Sequence, residues 1–268
     1  MKPRRSIAWA ALLIAGHFAV AASGPGGICD TPTLDDYLKR ADELDRARDT
    51  TAAAQALEDA DAKFPNNPEV LYRLSKQHSD LIFAAKSKPE AKALAAKCLA
   101  TARRAVEAGP KHAKARLSLS ICYAKNFPHV DNQTKVNYSR ALKEETERAI
   151  ALDPTLDLAH HMLGRWHFES ANMNFVTRTL AAAVYGGLPK ASFEDARAGF
   201  HRAVELAPKR ILHRLHLAGA LLALKKKPEA IEALRTALKL EPLDKDDEEA
   251  RRDAAAALKK LGVKDAAE

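Results

Sequence analysis

Five times along the chain a proline follows directly on what reads as a helix end: Phe64-Pro65, Gly109-Pro110, Asp153-Pro154, Ala207-Pro208 and Glu241-Pro242. Proline lacks an amide hydrogen and pushes its predecessor out of the helical region, so each of these sites stops one helix and opens the next turn. Pro208 and Pro242 stand 34 residues apart, which suits two antiparallel helices and their connections. A chain punctuated in this way stacks helix pairs, each burying its apolar face on its neighbour, instead of building one central core. The composition agrees, with 47% hydrophobic, 29% charged and only 6% aromatic residues and much alanine, as long solvent-facing helices require.

Counting back from the prolines exposes the packing positions. Before Pro242 they fall on Leu217, Ala218, Leu221, Ala230, Leu234 and Ala237; before Pro208 on Ala196, Phe200 and Ala203, with Leu163-Gly164 in the preceding helix; before Pro65 on Tyr37, Ala41, Leu44, Ala53, Leu57 and Ala60. Small residues at these places let helices approach closely. The pattern resembles the tetratricopeptide repeat, and the expected fold is all-α: a superhelical solenoid of about five helix pairs over residues 33–242, starting near Thr33 as an N-cap. Two middle units are stretched, to proline intervals of 45 and 44 residues, with helices expected over 69–84 and 90–108, then 112–126 and 134–152. In the connection before the last of these, Asn132 is expected to close a turn and Thr134 to begin the helix. Residues 243–268 read as a capping helix, over 244–261, and a tail.

The first residues follow an export pattern. Lys2, Arg4 and Arg5 precede an apolar run over 7–15, and Ala19-Val20-Ala21 offers a small-x-small cleavage site, so residues 1–21 are expected to be a signal peptide and 22–32 a linker. Gly16 and His17 interrupt the apolar run well short of the roughly 20 residues a spanning helix needs. Cys29 follows Ile28, which disfavours lipidation. Cleavage would take the formal charge from +8 to +5 and place the protein in the periplasm or outside the cell. Cys98 and Cys122 lie on sequence-adjacent helices and can pair in an oxidising compartment, although two buried thiols is the reading the sequence favours.

Three further segments, Leu71-Tyr72-Arg73-Leu74-Ser75-Lys76, Leu163-Gly164-Arg165-Trp166-His167 and Tyr185-Gly186-Gly187-Leu188-Pro189, resemble the regulator of microtubule dynamics protein family over about residues 35–240. The last is followed by Ala191-Ser192-Phe193-Glu194-Asp195-Ala196, a helix start with Ser192 as its cap. The resemblance implies a helical superhelix that acts by association, with animal members linked to microtubules and some to membranes, and it carries no catalytic residues. Microtubules would be a partner here only if the export segment is not cleaved.

In such a superhelix the first helix of each pair lines the concave face. Tyr72, Lys76, Lys114, His161, Arg165 and Phe168 are therefore the expected partner contacts, suited to an acidic group or C-terminal carboxylate on a protein or peptide beside an apolar anchor. The alternative is that the aromatic residues fill gaps while the cations pair with Asp80 and Glu169. Residues 172–188 form an unusually apolar insert, and Phe175, Val176, Leu180 and Tyr185 either pack over the fourth repeat or meet a lipid or membrane surface.

Interleaved acids and bases without a recognition motif argue against nucleic acid. His160, His161 and His167 lack the i,i+4 spacing of a zinc helix. No nucleophile elbow, phosphate loop or His-Glu-x-x-His motif occurs, so neither an enzyme, a metal site nor a cofactor is expected.

Overall fold

The structure, a computed structural model, describes residues 32–263; the expected export segment, most of the linker and Cys29 lie outside the described residues. Twelve α-helices follow one another, with no strand among the described residues. They pair as α1 (Leu34–Arg46) with α2 (Thr50–Lys63), α3 (Pro68–Ala84) with α4 (Lys88–Ala108) and α5 (Ala113–Asn126) with α6 (Asn132–Leu152). Next come α7 (Asp157–Asn172) with α9 (Phe193–Leu206) and α10 (Ile211–Ala223) with α11 (Lys227–Leu238). Helix α8 (Phe175–Tyr185) is inserted in the fourth pair, and α12 (Lys245–Lys260) packs on α10 and α11 as a cap. This is the tetratricopeptide-like solenoid that the proline spacing leads one to expect.

Short polar side chains start the helices. Thr33 accepts the Asp36 amide while Asp36 accepts the Thr33 amide, a reciprocal box that satisfies two orphan donors, and Ser192 accepts the Asp195 amide at the head of α9. The connection before α6 departs from the expectation: the helix begins at Asn132, not Thr134. Asp131 is the cap, accepting the Thr134 amide at 3.0 Å and its hydroxyl at 2.8 Å, because a carboxylate set one residue outside the helix reaches both donors.

The second helices of three units share one pattern. Ala53, Leu57 and Ala60, then Ala196, Phe200 and Ala203, then Ala230, Leu234 and Ala237, are all at most 1% exposed. Each places a large side chain between two alanines on one face, so the neighbouring helix can settle on the small residues and around the large one. Helices α7 and α9 approach closely through glycine. A Cβ on Gly199 would lie 2.9 Å from the backbone of Gly164, and one on Gly164 would lie 2.9 Å from the Phe200 ring.

Cys98 and Cys122 form a disulfide between α4 and α5, with Cα atoms 5.7 Å apart, and this corrects the expectation of two buried thiols. The physical reason is register: both cysteines sit on the facing sides of two packed helices, so close packing brings the sulfurs to bonding distance.

Candidate functional site

Helices α1 and α3, the first members of the first two pairs, enclose a cleft of about 250 Å³ lined by Asp42, Asp45, Tyr72, Arg73, Lys76 and Gln77, with Ala41 and Leu57 as its floor. Its charges are already engaged. Lys76 Nζ lies 3.0 Å from both carboxylate oxygens of Asp45 and 3.1 Å from Asp80, and Gln77 donates to Asp45 at 3.0 Å. Burial works against the Lys76 charge, but Asp80 and Asp45 outweigh it and raise its pKa. Arg73 pairs with Asp42 and, at 2.7 Å, with Glu69.

Tyr72 is half-buried beside the His112 ring, with Lys114 Nζ 5.7 Å from its ring centroid; burial pushes its phenol up to about 12. Tyr72, Lys76 and Lys114 are thus brought together on the α3–α5 face. Arg165 on α7 is exposed and makes no hydrogen bond or ion pair among the described residues, and it does not pair with Glu169. Two side chains on the same first helices are not singled out by the sequence reading. Lys125 Nζ sits 3.7 Å from the ring centroid of Phe83, which is 72% exposed. Burial pushes Lys125 down to about 8, with Asp80 and Asp246 opposing and Arg165 assisting, so Lys125 and Arg165 share one electrostatic neighbourhood. The signal is there in the spacing: Phe83 is two turns beyond Lys76 on α3, and Lys125 is three turns beyond Lys114 on α5.

His161 and Phe168 do not belong to this face. His161 is 2% exposed; its Nδ1 lies 3.0 Å from His213 Nδ1, and His213 Nε2 lies 2.8 Å from Asp157. A carboxylate at Asp157 only accepts, so His213 donates from Nε2 and its Nδ1 accepts the Nδ1 proton of His161. The expected groove contact is therefore an interior relay that ties α7 to α10, and no partner can touch it. Phe168 is half-buried, stacked edge-on against Phe193 at 5.5 Å and packed on the α9–α12 core. Among the described residues no cluster of His, Cys, Asp or Glu is placed to hold a metal ion.

The insert does not bury its apolar face as packing over the fourth repeat would require. Phe175 is 81% and Val176 75% exposed, with Leu180 and Val184 also exposed, while Ala181 is buried and Tyr185 half-buried. What holds α8 in place is polar. Gly186 ends it in a left-handed turn (φ 72°), and Arg140 of α6 donates to the carbonyls of Tyr185 and Gly187 at 2.5 Å. At the other end Arg178 of α8 donates to the carbonyls of Ser170 and Ala171 on α7, so polar ties at both ends hold the helix while its apolar face stays exposed. No described helix is long and apolar enough to cross a membrane.

Residues 37–262 match the family described as Regulator of microtubule dynamics protein 1-3. Regulator of microtubule dynamics protein 3 of Bos taurus is 26% identical over 238 residues, covering 88% of this chain and 50% of the relative. Protein 1 of Mus musculus is 28% identical over 190 residues, covering 70% and 62% respectively. The chain spans about half the length of the curated relatives it matches. Among solved structures, a thermophilic TPR protein of Thermus thermophilus is similar with a TM-score of 0.62 at 20% identity, over 84% of this chain and 99% of that one, a likeness of fold.

Proposed function

The chain belongs to the Regulator of microtubule dynamics protein 1-3 family, and from that premise we propose that it is a non-enzymatic scaffold whose first-helix face holds an extended segment of a protein partner. The observation that supports this reading is the group Phe83, Lys125 and Arg165: an exposed aromatic ring beside two cations on three successive first helices, none of them used by the core. An acidic side chain or terminal carboxylate would neutralise the cations while its apolar neighbour covers Phe83. Lys76 and Lys114 serve the intramolecular network first, so Lys125 and Arg165 carry the recognition.

The test is co-purification from native extract at low salt with the parent and with Lys125→Ala/Arg165→Ala, their folds matched by circular dichroism. A protein retained by the parent should bind the double variant about tenfold more weakly, two charge-assisted contacts being lost, and should elute with added salt. Equal retention would remove the cations from the site. The exposed apolar face of α8 favours a second reading, contact with a lipid or membrane surface. Retention of lipid that Leu180→Glu abolishes and the cation variant leaves intact would establish it instead.

Export is part of the proposal. It is supported by the charged and apolar start of the chain and by the Cys98–Cys122 disulfide, which a reducing cytosol does not sustain. The mass of the protein from fractionated native cells is expected to correspond to a start near Ala22 outside the cytosol. An intact N-terminus facing the cytosol would instead make a role in microtubule dynamics, which the relatives' name gives to them, the reading to pursue.

A further inference from the structure

In a helical-repeat array each unit is expected to touch only its neighbours. Here the two ends of the array touch each other. Arg48, in the turn between α1 and α2, grips Glu248 of α12 with both guanidinium nitrogens, at 2.6 and 3.2 Å, across 200 residues of sequence. Asp80 of α3 lies 3.3 Å from Lys245 of α12 while also holding Lys76 at 3.1 Å. Arg48 sits in the left-handed turn that ends α1 (φ 64°), the place that Lys225 holds after α10 (φ 61°), so the turn of the repeat itself presents its side chain.

The two sides of this junction are firm and the junction itself is not. On one side α12 is fixed to the start of α10: Asp247 accepts the Leu212 amide at 2.9 Å, Arg210 pairs with Asp244 at 2.9 Å, and Ala250, Ala254 and Leu258 join the buried core of α9–α11. On the other side α1, α2 and α3 share their own buried cluster. Among the described residues these two apolar clusters are separate, so what spans the gap is ionic and partly solvated; the side chains of Arg48 and Lys245 are 59% and 44% exposed. Asp246, facing Asp80 in the same gap, is a repulsive element, its carboxyl pushed up by burial and by the charges of Asp244 and Asp80.

We infer that the array is a ring closed by an ionic gate, in which Arg48–Glu248 and Asp80–Lys245 hold the capping helix against the first two repeats and release it to admit a ligand to the first-helix face. Exposed ion pairs bias a conformational equilibrium by only about two- to five-fold each and are screened by salt, so such a gate is closed at rest and opens without unfolding either side. Asp80 couples the gate to the cleft. When Lys245 leaves, Asp80 remains paired with Lys76 and faces Lys125, and the α3–α5 face opens. The gate is a property of the chain itself and holds whether or not that face binds a protein.

The test is the distance between spin labels at Glu43→Cys and Asp253→Cys in a Cys29→Ser background. At low salt the parent is expected to give one short distance. The charge reversal Arg48→Glu/Lys245→Glu, or about 1 M salt, where the screening length is about 3 Å, should raise the longer-distance population roughly four- to twenty-fold. The swap Arg48→Glu/Glu248→Arg should bring the short distance back, which a merely unfolded variant cannot do. If the double reversal keeps the parent's distance with native helicity, the repeat geometry alone sets the spacing of the ends and the gate does not exist.

Discussion

Lowering the pH from about 7.5 to about 4.5 is expected to reduce the free energy of unfolding by something on the order of 5 kcal/mol, read as a falling urea midpoint. Buried histidines set the direction. Burial pushes His78 down to about 4, with Lys97 adding to the effect and Glu58 opposing it; His216 falls to about 4 by burial and then by the charge of Arg165. His161 is driven well below its ordinary value, by burial first and then by His216 and His213. In the unfolded chain an imidazole titrates near 6.5, so between that value and about 4 the unfolded chain binds more protons than the native one. Stability is therefore fully present above about pH 6.5 and is lost progressively below it, with His78 and His216 each contributing roughly 2.5 kcal/mol of loss by pH 4.5. Carboxylates held below their usual range, such as Glu69 and Asp157, act in the same sense but only further into acid.

Urea unfolding at steps of pH measures this directly, and His78→Gln should flatten part of the slope. A midpoint that does not move between pH 6.5 and 4.5 would mean that the histidines are not held neutral. The Asp157–His213–His161 relay gives the loss a location: His161 already donates its Nδ1 proton to His213, so a further proton goes to Nε2 and places an imidazolium charge in a site only 2% exposed, at the α7–α10 boundary beside His213 and His216.

Replacing both Cys98 and Cys122 by alanine is expected to cost about 3 kcal/mol, from the loop of 24 residues that the disulfide closes in the unfolded chain. Both cysteines are at most 1% exposed, between Leu99, Ala102 and Leu119, so reductant should attack the native protein slowly and act fully only once urea has opened it. Two measurements check this. The variant should unfold at lower urea than the oxidised parent, and the parent reduced in urea and refolded should match the variant. An unchanged midpoint would show that packing of α4 on α5 alone stabilises this junction.

The candidate site is only half legible in the sequence, for reasons particular residues make plain. Tyr72, Lys76 and Lys114 fall on one face because helical spacing puts them there. His161 reads as a groove contact but is not one, because exposure on a first helix depends on what the next pair covers, and α10 brings His213 and His216 onto it. Lys125 and Phe83 do not stand out because their contact joins two helices, α5 and α3, and the burial that pushes Lys125 down comes from neighbours that no single helix reveals. The insert is expected to bury its apolar residues, yet Arg140 holds α8 by its end carbonyls and leaves Phe175 and Val176 bare.

The residues by themselves determined the paired helices, where they stop and the faces on which they stack. Proline stops, short polar caps and the alanine, large residue, alanine pattern act within one or two turns, and each is a local constraint on the backbone or on the distance between two helix axes. Tertiary structure alone decided that Cys98 meets Cys122, that His161 lies inside, and that Arg48 reaches Glu248. These depend on the rotation from one helix pair to the next. That rotation is small at each step and accumulates over five pairs and two stretched units, so the sum places the ends within reach of each other although no local pattern records it.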